Sequence, residues 1–221
     1  MARPLSSSVG EPRAVARGSR RGRHVATGDD TTGHSLVELL LVLTTVSVVL
    51  AIAVPVLDRA ADTADAAAAA RYVAGVVARA RFDAARAQRA RAVRFAPLPD
   101  AAFTVMADGD GDGVNAADVA AGVDPIVRAA DRLADHFPRA RFGLTGAMPA
   151  IDEGRLLTSD DDPIRLGSAD QLTLSPLGTA TSGTVYIASR AGAQFAVRIA
   201  GVTGRTRVLR YEPGARTWRV Y

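Results

Sequence analysis

Three groups of residues in this 221-residue sequence have types and spacings that could do chemistry. The first is the acidic loop Asp108-Gly109-Asp110-Gly111-Asp112-Gly113-Val114-Asn115-Ala116-Ala117-Asp118, with carboxylates at positions 1, 3 and 5, glycine at 6 and a further acid at 11. Calcium takes six to eight oxygens in flexible geometry, and D-x-D-x-D-G can wrap three carboxylates and a carbonyl around one ion. Asp108, Asp110, Asp112, the Val114 carbonyl and Asp118 are therefore candidate ligands for Ca2+. An EF-hand would place Glu at position 12, where Val119 stands, so a solvated acidic turn is the alternative. Asp118 could equally cap a short helix, DVAAG.

The second group is a single acid, Glu38, at the edge of an apolar run. An ionised carboxylate at membrane depth costs several kcal/mol unless paired, so an acid there points to a cationic partner. The third is Gly204-Arg205-Thr206-Arg207, in a tail (190–221) that holds seven Arg and one acid, Glu212. Arginine forks match phosphates, and the interleaved Tyr211 and Trp218 could stack on bases, which makes Arg205 and Arg207 candidates for DNA contact. The alternative is that these arginines are the solvent face of alternating strands.

Catalysis finds little support. With no cysteine and no lysine, thiolate nucleophiles, disulfides, Schiff-base lysines and P-loop lysines are excluded. The histidines are His24, His34 and His136. His136 follows Asp135 and is far from any serine in an elbow motif. Asp160, Asp161 and Asp162 before Pro163 form a charged turn. The expectation is a protein that is not an enzyme.

The elements that must position these residues start with the span. Leu39 to Leu57 reads LLLVLTTVSVVLAIAVPVL, nineteen residues without a charge. As a helix it extends roughly 28 Å, close to the bilayer hydrocarbon thickness of about 30 Å. Arginines 3, 13, 17, 20, 21 and 23 precede it, which places the N-terminus in the cytoplasm by the positive-inside rule. Residues 58–95 are Ala-rich with a single glycine, Gly75. Tyr72, Val73, Val76, Val77, Ala80, Ala84 and Ala87 recur there at three- and four-residue spacing. The spacing predicts a helix running on to Phe95, ended by Pro97 and Pro99.

Residues 96–221 read as a β-rich head. FTVMA alternates, and QLTLSPLG, TVYIAS, QFAVRIAG, RTRVLRYE and TWRVY follow, separated by Gly- or Pro-containing turns. An antiparallel sheet packed on the helix is expected, with Phe195, Val197 and Ile199 on one face and Arg198 on the other. The net charge of +4 is segregated, because residues 96–189 hold six Arg against fourteen acids. A uniform basic coat for nucleic acid is excluded.

Gly33-His34-Ser35-Leu36-Val37-Glu38-Leu39-Leu40, the apolar run and Pro55 together resemble the class III signal of type IV pilins and type II secretion pseudopilins. LSPLGTATSGTVYIA and QFAVRIAGVTGRTRVLRY are similar to the C-terminal half of minor pseudopilins of the GspH/FimT group. The resemblance implies an α+β pilin-like fold, in which a long N-terminal helix, transmembrane in its first half, packs on a C-terminal antiparallel sheet. It divides the chain into a leader (1–33), a membrane half-helix (34–57), a periplasmic half-helix (58–95) and a head (96–221). It implies cleavage by a prepilin peptidase between Gly33 and His34, methylation of the new amine, and a single inner-membrane pass with a periplasmic head. Glu38, the fifth mature residue, would pair with the terminal amine of a neighbouring subunit in a helical filament of pilins or pseudopilins. Its own amine lies about 6 Å away along the same axis, so only an axially shifted neighbour brings the two together. The implied function is a minor pseudopilin that seeds or caps a type II secretion pseudopilus. The alternative is a FimT-like minor pilin that binds DNA or a surface ligand.

Overall fold

The computed structural model describes residues 35–96, 102–152, 154–167 and 170–221; the expected leader, including Gly33, and His34 lie outside them. The chain divides into a unit ending at Thr45 and a unit from Val46 to Tyr221. Helix α1 is Leu36–Ala87. It opens on Ser35, whose Oγ accepts from the Val37 amide at 3.3 Å. With Glu38 three residues on, Ser35-Leu36-Val37-Glu38 has the sequence of a capping box. Along the apolar stretch the side chains are exposed, Leu36 to 73% and Leu57 to 67%. The helix is long and apolar enough to cross a membrane.

The second half of α1 is different. Ala66, Ala69, Ala70, Val73, Val77, Ala80 and Ala84 are buried, spaced three and four apart, so one narrow face is hidden. Of the residues expected on that stripe, Tyr72 is half-buried and Ala87 exposed. Two polar anchors fix its register against the head. Arg139 donates to Asp58 Oδ1 at 2.5 Å and to Asp62 Oδ1 at 2.9 Å, while its amide donates to Asp65 Oδ2 at 3.0 Å. Tyr72 donates to Asp131 Oδ2 at 2.6 Å and accepts from Arg128 at 2.5 Å.

The helix does not reach Phe95. It stops at Ala87, where Gln88 turns into the left-handed region (φ 53) and its side-chain amide donates to the Ala85 carbonyl at 2.7 Å. Arg91–Phe95 is strand β1. The Ala-rich composition favours helix locally, yet Val93 and Phe95 are buried at strand spacing, and β1 gains ladder bonds on both edges. Tertiary pairing overrides propensity here.

Further strands are β2 (Ala102–Ala107), β3 (Ile126–Arg132), β4 (Ala140–Phe142), β5 (Met148–Pro149), β6 (Leu156–Leu157), β7 (Ile164–Leu166) and β8 (Gln171–Leu174). The last four are β9 (Gly183–Ser189), β10 (Gln194–Ala200), β11 (Arg205–Glu212) and β12 (Thr217–Val220), and short helices α2 (Ala116–Ala121) and α3 (Leu133–His136) lie in the connections. The head holds two larger antiparallel sheets rather than one, ordered β3-β2-β1-β8 and β12-β11-β10-β9-β4, with β7 also on the edge of β9. A two-stranded β5-β6 ribbon completes it. One core joins both sheets to α1 through Phe95, Phe103, Phe142, Leu174, Phe195 and Val197.

Phe195, Val197 and Ile199 face that core, as the alternation requires. The opposite face of β9 and β10 is covered as well. Tyr186 and Ala196 pack with Leu144, Met148 and Leu157 beneath the ribbon, and Trp218 closes over them, donating Nε1–H to the Pro149 carbonyl at 2.8 Å.

Burial pushes the Asp131 carboxyl up, but hydrogen bonds from Tyr72 and His136 and the Arg128 charge outweigh it and hold the carboxyl below the usual range. A depressed carboxyl stabilises the fold above its unfolded value of about 3.9 and loses that contribution as pH falls through its folded value. Asp131→Asn should therefore lower stability at pH 7 by about 1–3 kcal/mol, since it strips a charge-assisted cluster of its acceptor. It should also flatten the acid limb of the melting-temperature profile. Parallel wild-type and variant profiles between pH 3 and 7 would show that Asp131 does not anchor the helix.

Candidate functional site

Glu38 occupies the first turn of α1, where the helix macrodipole favours a negative charge. It is exposed among exposed apolar neighbours, Val37 at 71% and Leu39 at 58%. Pro55 lies inside the same helix. Lacking an N–H, it leaves the Ala51 carbonyl without its i+4 donor. The polar hydroxyls of the apolar run turn inward, with Thr44 donating to the Leu41 carbonyl at 2.8 Å and Thr45 to the Val42 carbonyl at 2.9 Å.

The acidic loop brings together three of its five expected ligands. Oxygens of Asp108, Asp110 and Asp112 lie within 4.8 Å of one another. Asp108 is buried; its Oδ1 accepts from the Gly111 amide at 2.6 Å and sits 3.9 Å from the Arg89 guanidinium. The other two expected ligands are engaged elsewhere. The Val114 carbonyl accepts from Gln171 Nε2 at 3.0 Å, and Asp118 accepts from the Asn115 side-chain amide. Asn115, not Asp118, caps α2, its Oδ1 accepting from the Ala117 and Asp118 amides at 3.0 Å. The capping expectation thus moves to the residue with the extended backbone that a cap needs.

The residue that organises the loop is Asp124, which the sequence pattern did not single out. It is 1% exposed and takes the Gly109 and Asn115 amides on its two oxygens, each at 3.0 Å. The only sequence signal was its position before Pro125. Gly109 is fixed by the same closure, because a Cβ there would run into the Val123 carbonyl. Three carboxylates suit a hard, oxygen-liganded cation, with water completing the shell. Repulsion from Asp110, and a hydrogen bond shared with it, push the Asp112 carboxyl above its ordinary range.

Arg205 and Arg207 are exposed, and neither has a carboxylate partner among the described residues. They share one face of β11, and Arg207 stands opposite Arg198 of β10. Arg198 is already paired with Asp152. Gly204 is required before them: at φ +58, a Cβ would strike the Gly178 carbonyl and the Arg81 side chain. Tyr211 and Trp218 are not free for base stacking, since they pack on each other at 5.2 Å within the second core. His136 is a half-exposed partner of Asp131, at 2.9 Å.

No protein-family model, no curated protein and no solved structure matches this chain.

A folded-state carboxyl raised above its unfolded value lowers stability as pH rises through that interval. In chelator, Asp110→Asn should remove the main cause of the Asp112 shift and leave the protein at least as stable at pH 7 as wild type. With millimolar calcium the order should reverse, because wild type alone gains binding free energy by mass action. Melting temperatures that ignore calcium in both proteins would leave the loop a capped acidic turn.

Proposed function

We propose that this chain is a minor pseudopilin, a structural subunit that initiates or tips a type II secretion pseudopilus. In this reading it is made as a precursor and cut by a prepilin peptidase between Gly33 and His34. One inner-membrane pass then holds it with the head in the periplasm, and it carries no catalytic activity. The observation behind the proposal is the division of labour along α1. Its first part bears an exposed apolar surface with one acid in the first turn, and its second part bears a buried alanine face under a β-sheet head. A soluble core helix would have no reason to leave the first part uncovered.

The cut creates an amine beside an apolar surface, and Glu38 of a neighbouring copy or homologous subunit neutralises it. Desolvated together, the two charges penalise every axial register but one. Pro55 fits the same reading as a local break in the main-chain ladder within the packed helices. The other partners are pilins or pseudopilins of the same filament. Ca2+ at Asp108, Asp110 and Asp112 would serve as a loop staple outside the membrane.

A second reading is a FimT-like minor pilin that binds DNA, favoured by Arg205 and Arg207, exposed on one strand face and without a carboxylate partner among the described residues. Its affinity must fall steeply with salt, with a log–log slope near −0.9 for each duplex phosphate neutralised. The Arg205→Ala/Arg207→Ala variant should then lose the salt-sensitive binding. Absence of duplex binding at low salt would eliminate this second reading.

Mass spectrometry of the membrane form should find a mature chain beginning at His34, and retention of residues 1–33 contradicts the proposal. Glu38→Gln keeps a side-chain oxygen that can accept from the N-cap backbone amide of a capping box but removes the charge. It should insert into the membrane normally and fail to cross-link into filaments. Normal incorporation of Glu38→Gln would show that the Glu38 charge does not set the filament register.

A further inference from the structure

We propose that the cleft between the last turns of α1 and the β3 side of the four-stranded sheet is a docking site for an acidic peptide segment of a partner protein. The cavity has a volume of about 360 Å3, within the range of about 300–1,000 Å3 typical of small recognition sites. Val76 and Ala80 of α1, Val105 of β2 and Val127 of β3 give it an apolar floor. Around that floor stand Arg79, Arg86, Arg91 and Arg128, against a single acid, Asp83.

The balance of these charges is set by what each already touches. Arg128 is committed to Tyr72 and Asp131. Arg79 lies 3.9 Å from Asp83, a loose pair whose arginine side chain is 80% exposed. Arg86 and Arg91 have no carboxylate partner among the described residues; Arg91 Nη1 donates only to the Ala90 carbonyl. Two uncompensated guanidinium groups thus flank a concave apolar surface, where partial desolvation strengthens a charge–charge contact relative to open water.

The edge beside them is also unfinished. Among the described residues β3 ends its sheet, pairing with β2 alone, and carries Ile126 and Val127 at 56% and 55% exposure. An edge strand with apolar side chains offers main-chain hydrogen bonds to an added extended segment. Carboxylates two residues before and two residues after an apolar residue share its face in an extended segment, so they can meet Arg86 and Arg91 while that apolar side chain fills the floor. Nucleic acid is the poorer fit, because no aromatic ring lines the cleft for base stacking and Asp83 repels phosphate. The site lies wholly within the Val46–Tyr221 unit and does not depend on the filament reading.

The test uses the full chain in uncharged maltoside micelles and the peptide Glu-Thr-Leu-Thr-Glu carrying a neutral fluorophore, read by anisotropy. The acidic peptide should bind, and its Gln-Thr-Leu-Thr-Gln counterpart should bind at least about tenfold more weakly. Arg86→Gln/Arg91→Gln should weaken the acidic peptide about tenfold, at about threefold for each partly exposed pair, whereas Arg190→Gln should leave it unchanged. Val127→Asp, which places a like charge at the floor, should also weaken binding and serves if the double variant fails to fold. No binding of the acidic peptide, equal binding of both peptides, or full binding in the Arg variant and in Val127→Asp each overturns the proposal. Displacement of the peptide by a single-stranded oligonucleotide that binds more tightly overturns it in favour of a nucleic-acid site.

Discussion

The constraint on which the rest of the head depends is the narrowness of the buried face of α1. From Ala66 to Ala84 that face is alanine and valine only, so the helix backbone can lie close to both sheets, but it supplies little volume. The sheets must supply the bulk, and they do, through Phe95 and Phe103 from one and Phe142 and Phe195 from the other. Interiors pack to crystal-like density, so large side chains on the strands and small ones on the helix are two halves of one solution. The same economy lets the helix hold polar anchors at its margins. Asp58, Asp62 and Asp65 gather on Arg139, and Tyr72 reaches Asp131, without disturbing the apolar contact between them.

Those anchors reorganise the charge segregation visible along the chain. The excess acid of residues 96–189 is not a diffuse negative field. Asp124 is spent on loop amides, Asp131 on Arg128 and His136, Asp152 on Arg198, and Asp161 on Arg155 and the Thr158 amide. Among the described residues a concentrated group of acids remains at Asp108, Asp110 and Asp112, where Asp110 crowds Asp112 closely enough to push its carboxyl up. Asp131 and Asp161 therefore neutralise arginines of their own segment, while Asp152 reaches across to Arg198 of the tail.

How far the sequence could be read follows from which forces were local. The span of α1, the strands β2 and β8 to β12 and the turns between them carry their own periodicity, and each appears where that periodicity places it. The helix–strand switch after Ala87 was not legible, because Arg91–Phe95 is a strand only by virtue of β2 and β8 on either side. The second sheet escaped for the same reason. The double burial of β9 and β10 depends on a ribbon, Met148–Pro149 with Leu156–Leu157, too short to show a pattern. In the acidic loop the carboxylate spacing was legible. Its organiser, Asp124, was not, since its role comes from chain closure rather than from a motif.

Two pairs of arginines without a carboxylate partner among the described residues, Arg205 with Arg207 and Arg86 with Arg91, sit in different environments, and the difference in shape decides what each can do. Arg205 and Arg207 stand on the outer face of a strand, open to water and salt, where an isolated ion pair is worth about 0–1 kcal/mol. Useful affinity there needs many contacts at once, as a polyanion provides, and the aromatic residues that could assist are locked into the second core. Arg86 and Arg91 flank a hollow with an apolar floor, so two carboxylates and one side chain can act together on a small area. Charge count alone ranks the C-terminal tail as the interaction surface. Concavity, partner occupancy and the unpaired β3 edge rank the cleft beside α1 above it. The tail's arginines and the cleft's arginines are chemically alike, and only the fold gives the second pair a surface against which a ligand can be desolvated.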